Sequence, residues 1–235
     1  MMRKEASSFL DHLGEARRRL MRVLAVLLVT GGAGLALAPR VLKLLLAPYG
    51  SQLVVLGPTE GISMYLRVGL LFGTAAALPY GLFELWRFIA PGLLPRERRY
   101  AYPIIPAAMV LFIAGATFAW LVLIPTAIRF LAGFMPELFK VQWTSERYIP
   151  FVTALLFWIG LCFELPLAAF VLAKLRVVNA RMLLKAWRYA VVLISVAAAV
   201  ITPTVDPFNM ALVALPLVGL YFLSILVAAI ARMRG

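Results

Sequence analysis

Long apolar runs dominate the chain and alternate with short polar segments punctuated by proline. Residues 1–19 are polar with helical spacing, and Ser8 and Asp11 are placed to cap the start of a helix. Apolar runs follow over about 20–38, 62–86, 100–124, 149–173, 188–201 and 208–230. A helix that crosses a bilayer needs roughly 20 mostly apolar residues, so the pattern predicts six transmembrane helices. The second to fourth runs exceed that length and predict tilt or extension beyond the hydrocarbon. The fifth, from Tyr189 to Ile201 and closed by Thr202-Pro203, reaches only about 20 Å against a core of about 30 Å. Local thinning of the bilayer is expected there.

Composition agrees with that reading. Of 235 residues 64% are hydrophobic and 14% charged, and the mean hydropathy is +0.97. Soluble domains average about 45–50% apolar and about 25% charged residues, so lipid is the solvent of this chain. The net charge of +13 invites a nucleic-acid reading, but the basic residues form short clusters beside the apolar runs, as membrane topology signals do. Sixteen of the 23 lysines and arginines fall on one side of the expected spans and five on the other, which places both termini in the cytoplasm. The two long loops, between spans one and two and between three and four, are then outside, and their proline, glycine and aromatic content predicts small folded caps. Ala36-Leu37-Ala38 imitates a secretory cleavage site, but the preceding polar segment is long and Pro39 follows directly, so a retained anchor is expected. No internal repeat stands out.

The chemistry is sparse. His12 is the single histidine and Cys162 the single cysteine, the latter inside an apolar run where it reads as a packing residue. No metal-ligand spacing, nucleophile motif or phosphate loop is present, so neither an enzyme, a metal nor a cofactor is expected. Four acids remain. Glu15 is able to pair with Arg18 or Arg19 along its helix or to meet a basic ligand. Glu97 follows Pro95 among Arg96, Arg98 and Arg99, where it either complements a helix N-terminus or attracts a cation. Glu84 has Arg87 three residues on as a neutralising partner. Glu164, in Cys162-Phe163-Glu164-Leu165-Pro166, lies deep in the fourth run, where a carboxylate costs several kcal/mol unless protonated, paired or wetted. It reads as an internal hydrogen bond between spans, or as a docking point or wet cavity, with Pro166 kinking the helix. Gly69 and Gly73 form a G-x-x-x-G that permits close helix contact.

Several motifs occur together in order. His12 to Leu20 resembles the H-L-x-E-L-R-x-R-L start of the TatC family, the receptor subunits of the twin-arginine translocase. Phe88 to Arg99 resembles the F-x-x-P-G-L-x-x-x-E-[KR] loop of that family. Phe163-Glu164-Leu165-Pro166 is similar to its F-E-x-P element, Ile201-Thr202-Pro203 with Asp206 to its [LI]-T-P-x-x-D turn, and Leu215-Pro216 to its span-six proline. Ala16, Glu84, Met210 and Phe222 depart from the usual leucine, glutamine, a sometimes polar residue and a frequent glutamate, respectively.

The resemblance implies an all-α integral membrane protein, a concave, glove-shaped bundle of six spans in which the fifth and sixth are short. It implies a single membrane domain over 1–235 in a prokaryotic inner (plasma) membrane. The implied function is that of receptor and core subunit for twin-arginine signal peptides of folded cargo, exported with the proton-motive force. It places Glu15, Glu97, Arg17, Phe88, Pro91 and Arg99 at the signal peptide, Glu164 and Pro166 at an intramembrane polar docking point, and Thr202, Pro203 and Met210 against a partner helix. The implied partners are TatA and, if present, TatB, in an oligomeric receptor complex within the lipid bilayer. A secondary transporter of a small solute is the alternative; it would require paired broken helices with several facing polar groups at the midplane.

Overall fold

In a computed structural model, residues 2–50, 52–89, 101–135, 137–138, 142–202 and 206–233 are described. Among the described residues the regular secondary structure is helical, and the outer loops meet in one isolated bridge, between Val54 and Thr144. We number the helices α1 (Met2–Leu46), α2 (Glu60–Ile89), α3 (Ala101–Phe118), α4 (Ile124–Ala132), α5 (Ser145–Cys162), α6 (Leu165–Lys174), α7 (Ala180–Lys185), α8 (Trp187–Ile201) and α9 (Pro207–Met233). Among the described residues, five segments are long and apolar enough to cross a membrane, and α8 is a sixth, shorter apolar helix.

The polar N-terminal segment and the first apolar run form one helix of 45 residues. It is helical from Met2, ahead of Ser8 and Asp11, and it continues through Pro39 to Leu46. Pro39 cannot donate to the carbonyl of Leu35, four residues back, and an unpaired carbonyl in lipid costs several kcal/mol. Tyr65 of α2 supplies the missing donor: its hydroxyl donates to the Leu35 oxygen at 2.7 Å. Removing this hydroxyl with Tyr65→Phe should lower stability by about 1–3 kcal/mol, since a half-buried acceptor is left unsatisfied in lipid. Thermal unfolding of the purified variant in detergent measures it, and an unchanged midpoint would show that the carbonyl finds another donor.

Glycine sets how closely α1 and α2 approach. A Cβ at Gly34 would collide with the Gly69 carbonyl oxygen, and one at Gly73 would lie 2.5 Å from the Gly31 Cα. The G-x-x-x-G of α2 therefore meets a second pair of glycines on α1, backbone to backbone. From α2 the packing passes to α3 and α5, from α3 weakly to α6, and from α6 along α9 to α8. Helix α5 is central, burying Tyr148, Ile149, Val152, Leu155 and Ile159, a stripe at helical spacing. Outward-facing residues such as Leu28, Val192, Val200 and Leu215 remain exposed, as expected where lipid replaces water.

Prolines shape two spans. A π-turn over Ala119–Leu123 joins α3 to α4 just before Pro125, a place where the backbone ladder must break. Helices α5 and α6 are separated at Phe163 and Glu164, and Pro166 is the second residue of α6. The fifth span is short, with α8 covering 15 residues, about 22 Å. The sixth is not: α9 has 27 residues, about 40 Å, so the expectation of two short spans holds only for the first of them. Pro216 lies inside α9 without ending it. With α8 about 8 Å shorter than a typical hydrocarbon core, the bilayer beside it should be locally thin. Depth-resolved spin-label accessibility along α8 tests this, and a profile of normal thickness would contradict it.

At the end of the bundle away from the termini the two long loops are tied together. Val54 donates its N–H to the Trp143 carbonyl at 3.1 Å and accepts from the Ser145 N–H at 3.0 Å. Tyr49 stacks on Trp143 at 5.6 Å and lies 5.5 Å from Tyr148. Glu60 binds the pair: its Oε2 accepts from the Leu56 and Gly57 N–H groups at 2.8 and 3.2 Å, its Oε1 from the Ser145 hydroxyl at 2.5 Å and the Glu146 N–H at 2.7 Å. The Tyr148 hydroxyl donates to the Leu45 carbonyl at 2.9 Å and closes α1 onto this cap.

Candidate functional site

The antiparallel packing of α1 on α2 brings the start of one helix beside the end of the other, and there their charged residues converge. Glu15 is one-third exposed and accepts from Arg19 one turn on, from its Nε at 3.2 Å and also from its Nη2. The pairing at i and i+4 is the one the sequence allows. Arg19 does not stop at Glu15. Its Nη1 donates to the carboxylate of Glu84 on α2 at 3.3 Å and to the Glu84 main-chain carbonyl at 3.4 Å.

Glu84 is only 2% exposed. Its Oε1 accepts from Arg22 at 3.2 Å and from the Tyr80 hydroxyl at 3.0 Å. The expected neutralisation by Arg87 is therefore corrected in its main part. The ion pairs come from α1, sixty-odd residues away in sequence, while the Arg87 guanidinium lies 5.4 Å over the Phe83 ring. The reason is geometric. The glycine seam holds α1 close enough for two arginines to reach a carboxylate that α2 has already withdrawn from solvent. The result is a guanidinium held between two carboxylates on neighbouring helices.

Two further expected site residues lie on the same two helices. Phe88 is half-buried one turn beyond Glu84, and Arg17 is exposed on α1. Glu97, Pro91 and Arg99 lie outside the described residues, as does Pro203.

In the membrane-spanning part, Glu164 stands at the break between α5 and α6, and its Oε1 is buried with no hydrogen-bond partner among the described residues. Pro166 is buried beside it. Phe163 packs against Gly115 and lies 5.8 Å from Phe118. Thr202 is buried at the end of α8, its hydroxyl donating to the Ala198 carbonyl at 2.7 Å. Asp206 caps α9 by accepting from the Asn209 N–H at 2.7 Å, and Met210 is half-buried one residue later. Among the described residues no group of acids, histidines or cysteines is arranged to hold a metal ion.

A family model for the Sec-independent protein translocase protein TatC matches residues 11–216. The chain belongs to the TatC family. It is 39% identical to the TatC protein of Deinococcus radiodurans over 233 residues, which cover 94% of this chain and 86% of that protein. It is also 39% identical to the chloroplast TATC of Pisum sativum, covering 93% of this chain and 62% of the pea protein. A crystal structure described as the twin-arginine translocase receptor TatC superposes with a TM-score of 0.85 at 33% identity, covering 94% of this chain and 99% of that one. The chain is thus an all-helical, multi-pass membrane protein of the TatC fold, a component of the Sec-independent translocase.

Within this TatC protein two features escaped the sequence. Arg19 and Arg22 as partners of Glu84 carry no local signal, because the pairing runs between helices. Glu60 had one, since Gly57-Pro58-Thr59-Glu60 places an acid in the first turn of a helix. That Glu60 also receives Ser145 and Glu146 from the other long loop is a tertiary fact.

Proposed function

We propose that this TatC protein is the receptor and core subunit of a twin-arginine protein translocase. It binds the twin-arginine signal peptide of folded cargo at the cytoplasmic face through Glu15 and Glu97, with Arg17, Phe88, Pro91 and Arg99 around them. It lies in a prokaryotic plasma membrane with both termini in the cytoplasm, and it performs no covalent chemistry on the cargo. Glu164 and Pro166 offer a polar point inside the membrane, and Thr202, Pro203 and Met210 a surface for the single-span TatA-type partner and, where present, TatB. Helices about 10 Å across cannot encircle a folded protein, so transport requires further subunits in an oligomeric complex, driven by the proton-motive force.

One observation supports this reading above the others. The α1–α2 seam already holds an arginine fork between Glu15 and Glu84, which makes it a place suited to guanidinium groups. Arginine is always charged and presents a planar fork, whereas lysine presents a point charge. Photocrosslinking from position 97 to a synthetic signal peptide tests the proposal. A strong crosslink is expected with an Arg-Arg peptide and a weak one with a Lys-Lys control, and equal crosslinking to both would refute it.

A further inference from the structure

We propose that Arg19 is an internal stand-in for a signal-peptide arginine, and that Glu84 is the positioning residue that receives Arg19 when the peptide takes Glu15. This rests on the reading of Glu15 as a signal-peptide contact. Arg19 addresses Oε1 of Glu15 with Nε and Nη2 together, the adjacent pair of donors that an incoming guanidinium would also present. The unloaded site is therefore filled from within, and an arriving arginine must displace this fork.

Displacement would be prohibitive if it stranded Arg19, which is only 14% exposed, because an unpaired buried charge is strongly unfavourable. Glu84 removes that obstacle. It already accepts from Nη1 of the same guanidinium, through both its carboxylate and its main-chain oxygen. A short swing away from Glu15 lets Arg19 turn more of its donors onto Glu84. Arg22, half exposed at 51%, shares Glu84 and can release it to water at little loss. The Tyr80 hydroxyl continues to hold Oε1. The exchange then keeps each buried charge paired throughout.

Competition of this kind also sets specificity. A peptide arginine replaces both bonds that Arg19 gives up at Glu15. A peptide lysine brings a point charge without the planar, preorganised pair of donors and displaces Arg19 less well. Arg19 thereby rejects lysine more strongly than an empty pair of carboxylates would.

The test measures binding of fluorescent Arg-Arg and Lys-Lys signal peptides to the purified full chain in lipid nanodiscs. Arg19→Gln should bind the Arg-Arg peptide about three- to tenfold tighter and the Lys-Lys peptide tighter still, so that discrimination narrows. Glu84→Gln should weaken Arg-Arg binding by about three- to tenfold, because Arg19 loses its alternative acceptor. The double variant should behave like Arg19→Gln alone, an order of effects that a merely structural role for Glu84 does not produce. Arg19→Lys, which keeps the charge and the fold but not the fork, should fall between wild type and Arg19→Gln. Arg18→Gln removes a neighbouring exposed cation and should have a smaller effect on both peptides.

If Arg19→Gln weakens Arg-Arg binding, or leaves the discrimination unchanged, the stand-in role is overturned while Glu15 keeps its own. Equal tightening by Arg18→Gln would reduce the effect to general electrostatics and overturn it as well. Retention of full Arg-Arg binding by Glu15→Gln would remove the underlying site and the stand-in with it.

Discussion

Replacing both Glu15 and Glu97 with alanine is expected to abolish twin-arginine-dependent export while leaving the protein at its normal level in the membrane. The expectation follows from the size of the contacts compared with the size of the structural loss. A shielded, charge-assisted hydrogen bond contributes about 1.5–3 kcal/mol. Each single replacement should therefore weaken peptide binding by about 10- to 100-fold, at about 1.4 kcal/mol per factor of ten. Glu15 is one-third exposed and pairs with an arginine on its own helix, and pairs of that kind contribute about 1 kcal/mol or less to stability. The fold should tolerate its removal, because Arg19 keeps Glu84. Crosslinking and export of a folded reporter, normalised to membrane-protein level, give the readout. Undiminished export in the double variant would remove the receptor site from these two acids.

Gly34→Leu is expected to destabilise the protein more than any other single change along the α1–α2 seam. A Cβ at position 34 meets the main chain of α2, at the Gly69 oxygen and, at 2.8 Å, the Gly73 nitrogen. Main-chain atoms cannot rotate away as a side chain can, so the helices must separate. Overpacking typically costs about 1–3 kcal/mol, and more where the backbone must shift; about 3 kcal/mol or more is expected here. Helix α1 packs chiefly on α2, so little else compensates. The same separation draws Arg19 and Arg22 away from Glu84, leaving that buried carboxylate without its cations. Gly34→Leu should therefore lower both the thermal midpoint and the affinity for an Arg-Arg peptide. Gly32→Leu is the control, since a Cβ there meets nothing within 4 Å. Equal midpoints for the two variants would show that the seam is not close-packed.

The two expectations belong to one structural feature. Close approach along the glycines brings Arg19 and Arg22 to Glu84, and Arg19 in turn holds Glu15. A change in the seam should therefore be felt at the acids, whereas a change at Glu15 should not be felt in the seam. Measuring stability and peptide affinity on the same variants separates these directions.

Membrane character, the number of apolar crossings and the shortness of the fifth were legible in the sequence, because each depends on local hydropathy and on 1.5 Å of rise per residue. The break at Glu164 was legible for a similar reason, since Pro166 acts on the turn that precedes it. The passage of α1 through Pro39 was not, because the donor that heals the ladder is Tyr65 on another helix. Nor was the union of the outer loops through Glu60, whose partners lie 85 and 86 positions away. The sequence by itself determined which segments enter lipid and which side chains carry charge at their ends. Only the tertiary structure decided that Glu84 takes its direct ion pairs from Arg19 and Arg22, with Arg87 acting at longer range, because ion pairing in a shielded site follows distance in space, and that distance is set by how closely two glycine-lined helices can approach.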